Sequence, residues 1–188
     1  MTALVGPEGA RMYDLVFLLE SFPEAEFVRL SGGGLYLLQI PLTAPGVPSP
    51  DGTIGEVTQG EVGPTMTYGK DALLALRRSR AMLKALVHFL GGKPKVVLGR
   101  KRAVCDVELA FEGVSRQHAE AARSPAGWTI MDLGSRNGTF LDGEQLPPSV
   151  PAPLAPDSVL QIGQYRAVVE DPAALYQLTT RLRGAQPE

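Results

Sequence analysis

Cysteine and histidine are scarce in this sequence. The chain of 188 residues contains one cysteine, Cys105, and two histidines, His88 and His118. A single cysteine cannot form an intramolecular disulfide, so nothing indicates an oxidising compartment. One thiol and two imidazoles also supply no metal-ligand spacing. We therefore expect neither a metal site nor a cofactor.

Long hydrophobic runs and a net positive charge are also absent. The longest apolar runs, such as residues 16–19 and 35–38, are far too short to cross a bilayer. The first ten residues lack the basic region ahead of an apolar one that a signal peptide requires. A formal net charge of -2 argues against a general nucleic-acid binder. We expect a soluble cytoplasmic protein that binds neither nucleic acid nor membrane.

The charge that is present is unevenly distributed. Residues 1–66 carry eight acidic side chains and two basic ones, whereas residues 91–140 carry eight basic and five acidic. A local excess of positive charge attracts anionic ligands and speeds their encounter. The second half of the chain is thus the expected place for an anion-binding site.

Three polar islands lie between apolar, strand-like runs in that second half. They are residues 99–100 (Gly-Arg), 115–118 (Ser-Arg-Gln-His) and 134–140 (Gly-Ser-Arg-Asn-Gly-Thr-Phe). Each falls where a strand should give way to a turn, so three loops are expected to meet at one end of a sandwich. Their guanidinium groups suit bidentate contact with phosphate or carboxylate. Asn137 suits the backbone of an extended peptide, and Asn-Gly at 137 and 138 predicts a tight turn.

These islands resemble the pattern of the forkhead-associated (FHA) domain. That pattern is Gly-Arg, then Ser-x-x-His, then Ser-x-Asn-Gly-Thr, and the resemblance covers about residues 95–170. It implies an antiparallel β-sandwich that binds phosphothreonine in partner proteins and catalyses nothing. It also implies a setting, that of a cytoplasmic adaptor in Ser/Thr protein kinase signalling whose partner is a phosphothreonine-containing protein.

The resemblance assigns roles residue by residue. Arg100 and Ser115 would hold the phosphate with Arg116 flanking it, Arg136 would lie beside the peptide, and Asn137 would hydrogen-bond the peptide backbone. Structural support would come from Gly99, His118, Ser135, Gly138 and Thr139. Among these, His118 would be mainly a buried brace for the loop that carries the serine.

The predicted fold is mainly β, with an α/β amino-terminal extension and a short C-terminal helix. Residues 1–84 form the extension, with a Pro/Gly-rich loop at 41–65; residues 85–170 form the FHA-like sandwich; and residues 171–183 form the helix. Within the extension, periodicity predicts helix over 10–30, with a capping box at 21–24, a glycine turn at 31–34 and a strand from 35 to 42. The glycine triplet lacks the following Lys-Ser/Thr of a phosphate loop.

The sandwich is predicted as short strands separated by turns. The strands are residues 96–98, 107–109, 119–122, 128–131, 139–141, 159–162 and 165–169, with hairpin turns at 124–127 and 141–144. Ahead of them, a helix is expected from residue 71 to about 83, followed by a strand at 86–90. That strand also fits a hairpin with residues 95–98. The basic run at 77–80 is interpreted as a solvated face, and Asp171-Pro172 as a helix start.

Several alternatives stay open. The fold could serve phosphate-independent association, or Cys105, His118 and Asp132 could form a hydrolase site. Residues 1–90 could form an extra layer packed on the sandwich, a small separate domain, or a segment that covers the phosphate site until a partner arrives. The covering segment is suggested by the acidic charge of residues 1–66, which opposes the basic loops. The resemblance leaves undetermined the kinase, the partner, the peptide sequence preference and the oligomeric state.

Overall fold

The computed structural model describes residues 5–40 and 80–184, and strands dominate this part of the chain. In chain order the strands are β1 (Ala10–Arg11), β2 (Leu35–Gln39), β3 (Leu86–Leu90), β4 (Lys95–Gly99), β5 (Val107–Glu108), β6 (Ala119–Ser124), β7 (Gly127–Asp132), β8 (Thr139–Leu141), β9 (Glu144–Gln145), β10 (Ala152–Leu154), β11 (Val159–Ile162) and β12 (Tyr165–Glu170). The α-helices are α1 (Met12–Leu18), α2 (Glu24–Ser31) and α3 (Pro172–Arg183).

The strands form two sheets packed face to face, which confirms the predicted sandwich. The larger sheet has the order β1-β3-β2-β12-β11-β8-β9, and the smaller has the order β10-β7-β6-β4-β5. All neighbours are antiparallel except β4 and β5, which are parallel. The helices cover the face of the larger sheet that points away from the smaller sheet.

Two apolar clusters lie on the two faces of the larger sheet. The inner core, between the sheets, contains Leu37 and Val169 together with Ile130 of the smaller sheet. The outer core, between the larger sheet and the helices, contains Leu38 and Val168. Because adjacent residues of a strand point to opposite faces, β2 and β12 have to be apolar at almost every position. In β2 and just after it, residues 36, 38 and 40 lie in the outer core, and residues 35 and 37 lie in the inner core.

The amino-terminal residues are part of this sheet. Strand β2 lies between β3 and β12, with Leu38 opposite both Val87 and Val168. Residues 5–9 also reach the smaller sheet, where the Glu108 N–H donates a hydrogen bond to the Pro7 carbonyl at 2.7 Å. The predicted extension and the predicted sandwich therefore share backbone hydrogen bonds and a core.

The predicted helix over residues 10–30 is two short helices. A 3-10 turn at Leu19–Ser21 separates α1 from α2, and α2 ends at Gly32 in the left-handed region, as the glycine turn predicted. The capping-box prediction was wrong. Pro23 is the N-cap residue, and it makes no side-chain capping bond. Ser21, the predicted cap, lies in the preceding 3-10 turn instead.

The glycine turn is a docking point for the smaller sheet. Trp128 Nε1 donates a hydrogen bond to the Gly33 carbonyl at 2.9 Å, and the Arg123 guanidinium donates to the Gly32 carbonyl. Both side chains belong to the β6–β7 hairpin, one of the two hairpins that the sequence predicted. The turn thus joins the helical layer to the β6–β7 end of the opposite sheet.

The hairpin between residues 86–90 and 95–98 is wrong, although both strands exist. Strand β3 pairs with β1 and β2, whereas β4 pairs with β5 and β6 in the other sheet. The reason is burial, since Val87 and Phe89 lie in the outer core and Leu90 in the inner core. A strand that is apolar on both faces has to lie in the sheet that is buried on both faces. That sheet is the larger one, whereas β4 lies in the smaller sheet.

Other strand predictions are confirmed, and the misses are short. The seven strands predicted within the sandwich are present, and so is the hairpin at 141–144. The strands β1, β9 and β10 were not predicted because they are two or three residues long, and β10 contains Pro153 at the edge of its sheet. Residues 80–84 form a 3-10 turn. The remainder of the predicted helix from residue 71, the loop at 41–65 and residues 77–79 of the basic run lie outside the described residues.

Helix α3 begins at Asp171 as predicted. The Asp171 carboxylate accepts a hydrogen bond from the Ala174 N–H at 2.8 Å, and Pro172 occupies the first helical position. Leu175, Leu178 and Leu182 are buried in the outer core. None of the helices within residues 5–40 and 80–184 is long and apolar enough to span a membrane.

Loss of the Asp171 cap should destabilise the protein measurably. We expect Asp171→Ala to lower the free energy of unfolding by about 1 kcal/mol, because the Ala174 N–H loses its acceptor. Asp171→Asn keeps a capping oxygen and should retain most of that stability. Urea denaturation of both variants checks this, and equal losses would show that the cap is not the cause.

Candidate functional site

The three polar islands meet at one end of the sandwich. They line a cavity of about 710 Å³, here called the loop cavity, whose walls are Arg100, Lys101, Val104, Gly113, Val114, Ser115, Arg116, Gln117, Gly134, Arg136 and Asn137. All five side chains that the sequence assigned to peptide binding are among them. The support residues Gly99, His118, Ser135, Gly138 and Thr139 do not line the cavity, and all five are described below by their contacts.

The first two loops lie side by side through their backbones. The Arg100 N–H donates to the Ser115 carbonyl at 2.9 Å, and the Lys101 N–H donates to the Arg116 carbonyl at 3.3 Å. A Cβ atom at Gly99 would lie 2.2 Å from the Arg116 carbonyl oxygen, so no side chain fits there. Glycine at this position is what allows Arg100 and Ser115 to enter one cavity.

His118 joins the second loop to the third. Its ring is fully buried; Nδ1 accepts a hydrogen bond from the Ser115 N–H at 2.9 Å, and Nε2 lies 3.0 Å from the Gly138 carbonyl oxygen. Because Nδ1 is an acceptor, the proton is on Nε2 and the ring is neutral. Burial lowers the pKa of His118, although the Gly138 carbonyl and Asp132 act in the opposite direction.

The third loop is organised around the carboxylate of Asp132. This buried side chain accepts four hydrogen bonds, from the Gly134 and Ser135 N–H groups at 2.8 and 2.9 Å and from the Ser135 and Thr139 hydroxyls at 2.7 Å each. Burial alone would raise the pKa of Asp132, but these donated bonds outweigh it and hold the pKa below its ordinary value. Ser135 extends this hydrogen-bond network to Gly138, since its hydroxyl accepts a hydrogen bond from the Gly138 N–H at 2.9 Å.

Ser115 and Asn137 are oriented by neighbouring backbone. The Ser115 hydroxyl accepts a hydrogen bond from the Arg136 N–H at 3.2 Å, and Asn137 Nδ2 donates to the Gly113 carbonyl at 2.9 Å. Gly113 in turn rests against the β11–β12 turn, where a Cβ at Gly163 would lie 2.6 Å from the Gly113 carbonyl carbon. The position of Asn137 therefore depends on a contact between two glycines.

The loop cavity is basic. Arg100, Lys101, Arg116 and Arg136 are exposed and line it, and no acidic residue does. Within the described part of the chain, none of the four is in an ion pair with a carboxylate. Their charge is available to an anionic ligand, and the neighbouring hydroxyl and amide add directional hydrogen bonds.

Sequence reasoning missed three contributors to this site. Asp132 was considered only as the third member of a hydrolase site, although an Asp at the start of a turn is a common acceptor for the N–H group two residues on, here that of Gly134. Lys101 was passed over because it lies outside the motif. Gly163 carries no local signal, since its importance comes from a contact with Gly113, fifty residues earlier in the chain.

The hydrolase alternative has no geometric support. Both ring nitrogens of His118 face main-chain groups, so neither is available to activate a thiol. The Cys105 thiol donates to the carbonyls of Gly99 and Lys101. Burial and the carboxylates of Glu108 and Asp106 raise the pKa of this thiol, which disfavours the nucleophilic thiolate. Across residues 5–40 and 80–184, no group of three or more His, Cys, Asp or Glu side chains could hold a metal ion.

Comparison with known proteins points to one family. The family model described as FHA domain matches residues 96–163. The glycogen accumulation regulator GarA of Mycolicibacterium smegmatis is 33% identical over 64% of this chain and 70% of its own length. The oxoglutarate dehydrogenase inhibitor of Corynebacterium diphtheriae is 36% identical over 46% of this chain and 58% of its own.

Two further similar proteins each match less than half of the chain. An FHA domain-containing protein of Arabidopsis thaliana is 31% identical over 40% of this chain, which spans 18% of that protein. The chain thus spans less than two thirds of the Arabidopsis and Corynebacterium relatives. Among solved structures, the FHA domain of the CT664 protein from Chlamydia trachomatis is 25% identical, with a TM-score of 0.43 over 47% of this chain and 86% of that one.

Asp132→Asn should destabilise the third loop. Asparagine has an NH2 group in place of one carboxylate oxygen, and this group cannot accept a hydrogen bond. The N–H or O–H groups that donated to that oxygen therefore lose their partner. We expect the free energy of unfolding to fall by about 1 to 3 kcal/mol. Asp14→Asn, the same change at an exposed position of α1, is the control in urea denaturation and should be nearly neutral. Equal stability of the two variants would contradict the role given to Asp132.

Stability should fall as the pH falls from about 7.5 to about 5.5, because an unfolded histidine binds a proton near pH 6.5 while the folded one resists it. Burial lowers the pKa of His118, and burial also lowers the pKa of His88 to about 4. The stabilisation that comes from keeping these two histidines neutral is complete above the pKa of an unfolded histidine. It is lost as the pH falls from that value toward the pKa of the folded state. The loss should be smaller in His118→Gln, with the remainder due to His88. Urea denaturation at both pH values checks this, and an unchanged loss in His118→Gln would contradict it.

Proposed function

This chain belongs to the FHA-domain family, and on that basis we propose that it is a non-enzymatic adaptor that binds phosphothreonine peptides in Ser/Thr protein kinase signalling. The observation that carries the proposal is the loop cavity, where four basic side chains, a serine hydroxyl and an asparagine amide converge without an acidic residue among them. A phosphorylated peptide brings both the dianion and the main chain that such a set of groups can bind.

The phosphate would bind between the first two loops. Arg100 and Ser115 enter the cavity from adjacent backbone segments, so a guanidinium and a hydroxyl can reach the same phosphate oxygens. Arg116 follows Ser115 directly and flanks that position. Charge-assisted bonds from arginine to phosphate are among the strongest hydrogen bonds in proteins, so we assign most of the binding free energy to Arg100.

The peptide backbone would bind along the third loop. Asn137 is held by the Gly113 carbonyl through one N–H of its amide, and an amide has further donor and acceptor capacity for a peptide group. Arg136 precedes it and would lie beside the peptide. The supporting roles belong to Gly99, which permits the close approach of the loops, and to His118, Ser135, Gly138 and Thr139, which hold the second and third loops together.

The nature of the relatives agrees with binding as the function. One is named as an inhibitor of an enzyme and another as a regulator of glycogen accumulation, and both names describe an effect on other proteins or processes. We propose a cytoplasmic location and a phosphothreonine-containing partner in a kinase pathway for this chain. Residues 85–170 would be the binding module, to which residues 5–40 add strands β1 and β2 and helices α1 and α2.

A binding titration tests the proposal. The purified chain is titrated with a peptide drawn from an oriented phosphothreonine library, together with its phosphoserine and unphosphorylated versions. We expect binding to require the phosphate. Phosphoserine should bind a few-fold more weakly, since burying the threonine methyl group is worth about 0.8 kcal/mol.

The Arg100→Ala variant is the decisive comparison. Removing one partner of a buried charge pair costs about 2 to 5 kcal/mol, so the affinity should fall by about thirtyfold or more. Arg181→Ala removes the same charge from an exposed position of α3 and should bind as the wild type does. Equal binding of the unphosphorylated peptide would favour phosphate-independent association, and undiminished binding by Arg100→Ala would refute the assigned role.

A further inference from the structure

The loop cavity holds more positive charge than one phosphate balances. Four basic side chains line it, and the described residues supply no carboxylate partner for them. A phosphothreonine carries a charge of about -1.5 to -2 at neutral pH. With the phosphate in place, about two positive charges remain in the cavity without a counterpart. A ligand that matches the site needs a further negative charge near its phosphate.

Lys101 is the unassigned charge, and its contacts place it on a distinct wall. Its carbonyl accepts a hydrogen bond from the Val104 N–H at 3.0 Å, and the Val104 carbonyl accepts one from Gln117 Nε2 at 2.9 Å. These three residues form the side wall of the cavity. Asn137, by contrast, is tied to Gly113 on another part of the lining. A peptide held by Asn137 and Arg100 would therefore present a different residue to Lys101.

The side wall combines a charge with an apolar surface. Val104 is 43% exposed and lines the cavity together with four basic residues. The wall is also fixed in place, because the 3-10 turn at Arg102–Val104 is hydrogen-bonded to the loop that carries Ser115. An ammonium beside a valine fits a glutamate, whose carboxylate pairs with lysine while its methylene stem contacts the apolar group.

We propose that Lys101 and Val104 are specificity-determining residues that select a glutamate at one position next to the phosphothreonine. The inference rests on the proposed function and names the class of partner: a phosphorylated segment with an acidic residue at a fixed distance from its phosphothreonine. Lys101 adds to recognition without binding the phosphate.

The test uses a phosphothreonine peptide in which each neighbouring position in turn is glutamate or glutamine. These two residues have nearly the same shape and differ in charge. The full chain should bind the glutamate peptide about threefold to fivefold more tightly at one position, the upper part of the range measured for exposed ion pairs. In Lys101→Gln, the glutamate and glutamine peptides should bind with about equal affinity at that position. Arg181→Gln is the matched control and should keep the full preference.

The outcomes separate this inference from the proposed function. If the wild type binds no phosphopeptide, both fail. If it binds the glutamate and glutamine phosphopeptides with the same affinity at every position, only the role of Lys101 fails. The same holds if glutamate is preferred equally at every position, because a uniform preference reflects long-range attraction. Survival of the single-position preference in Lys101→Gln would also overturn it. Exposed Lys101 has its side chain outside both cores, so the variant should fold normally.

Discussion

The structure depends on a sheet that is buried on both faces. Strands β2, β3 and β12 form the middle of the larger sheet, with the smaller sheet on one side and the helices on the other. Full burial of one large aliphatic side chain contributes about 1.5 to 3 kcal/mol, and Leu37 and Leu38 of β2 are both fully buried. The amino-terminal residues are consequently a part of the folding unit whose loss would expose both cores.

The loop cavity depends on a different kind of interaction. Its three loops are positioned by backbone hydrogen bonds and by two buried polar side chains, Asp132 and His118. A buried polar network is stabilising only when each member is satisfied. Both side chains meet this condition with local partners, and the cavity lining is left with outward-facing basic groups. Rigidity and available charge are thus supplied by separate sets of residues.

The motif could be recognised in the sequence, whereas the residues that surround it in the fold could not. Strands β6 and β7 were predictable because alternating burial leaves a period of two, and β2 and β12 because they are short apolar runs. The five peptide-binding candidates were predictable because their spacing belongs to a known pattern. Partner strands were not predictable. Residues 86–90 look like half of a hairpin with residues 95–98, and only the presence of cover on both faces assigns them to another sheet. The roles of Lys101 and Gly163 follow from contacts across the fold that no local pattern records.

The position of β2 has a consequence for the order in which the protein is made. During synthesis residues 35–39 leave the ribosome long before residues 165–170, which are one of their two neighbours in the sheet. Contacts of such long sequence separation form slowly because a large loop has to close first. The outer core also needs Leu175, Leu178 and Leu182. Helices α1 and α2 and strand β2 therefore wait with apolar surface exposed until these later residues have been made, and this nascent segment is where a chaperone would be of most use.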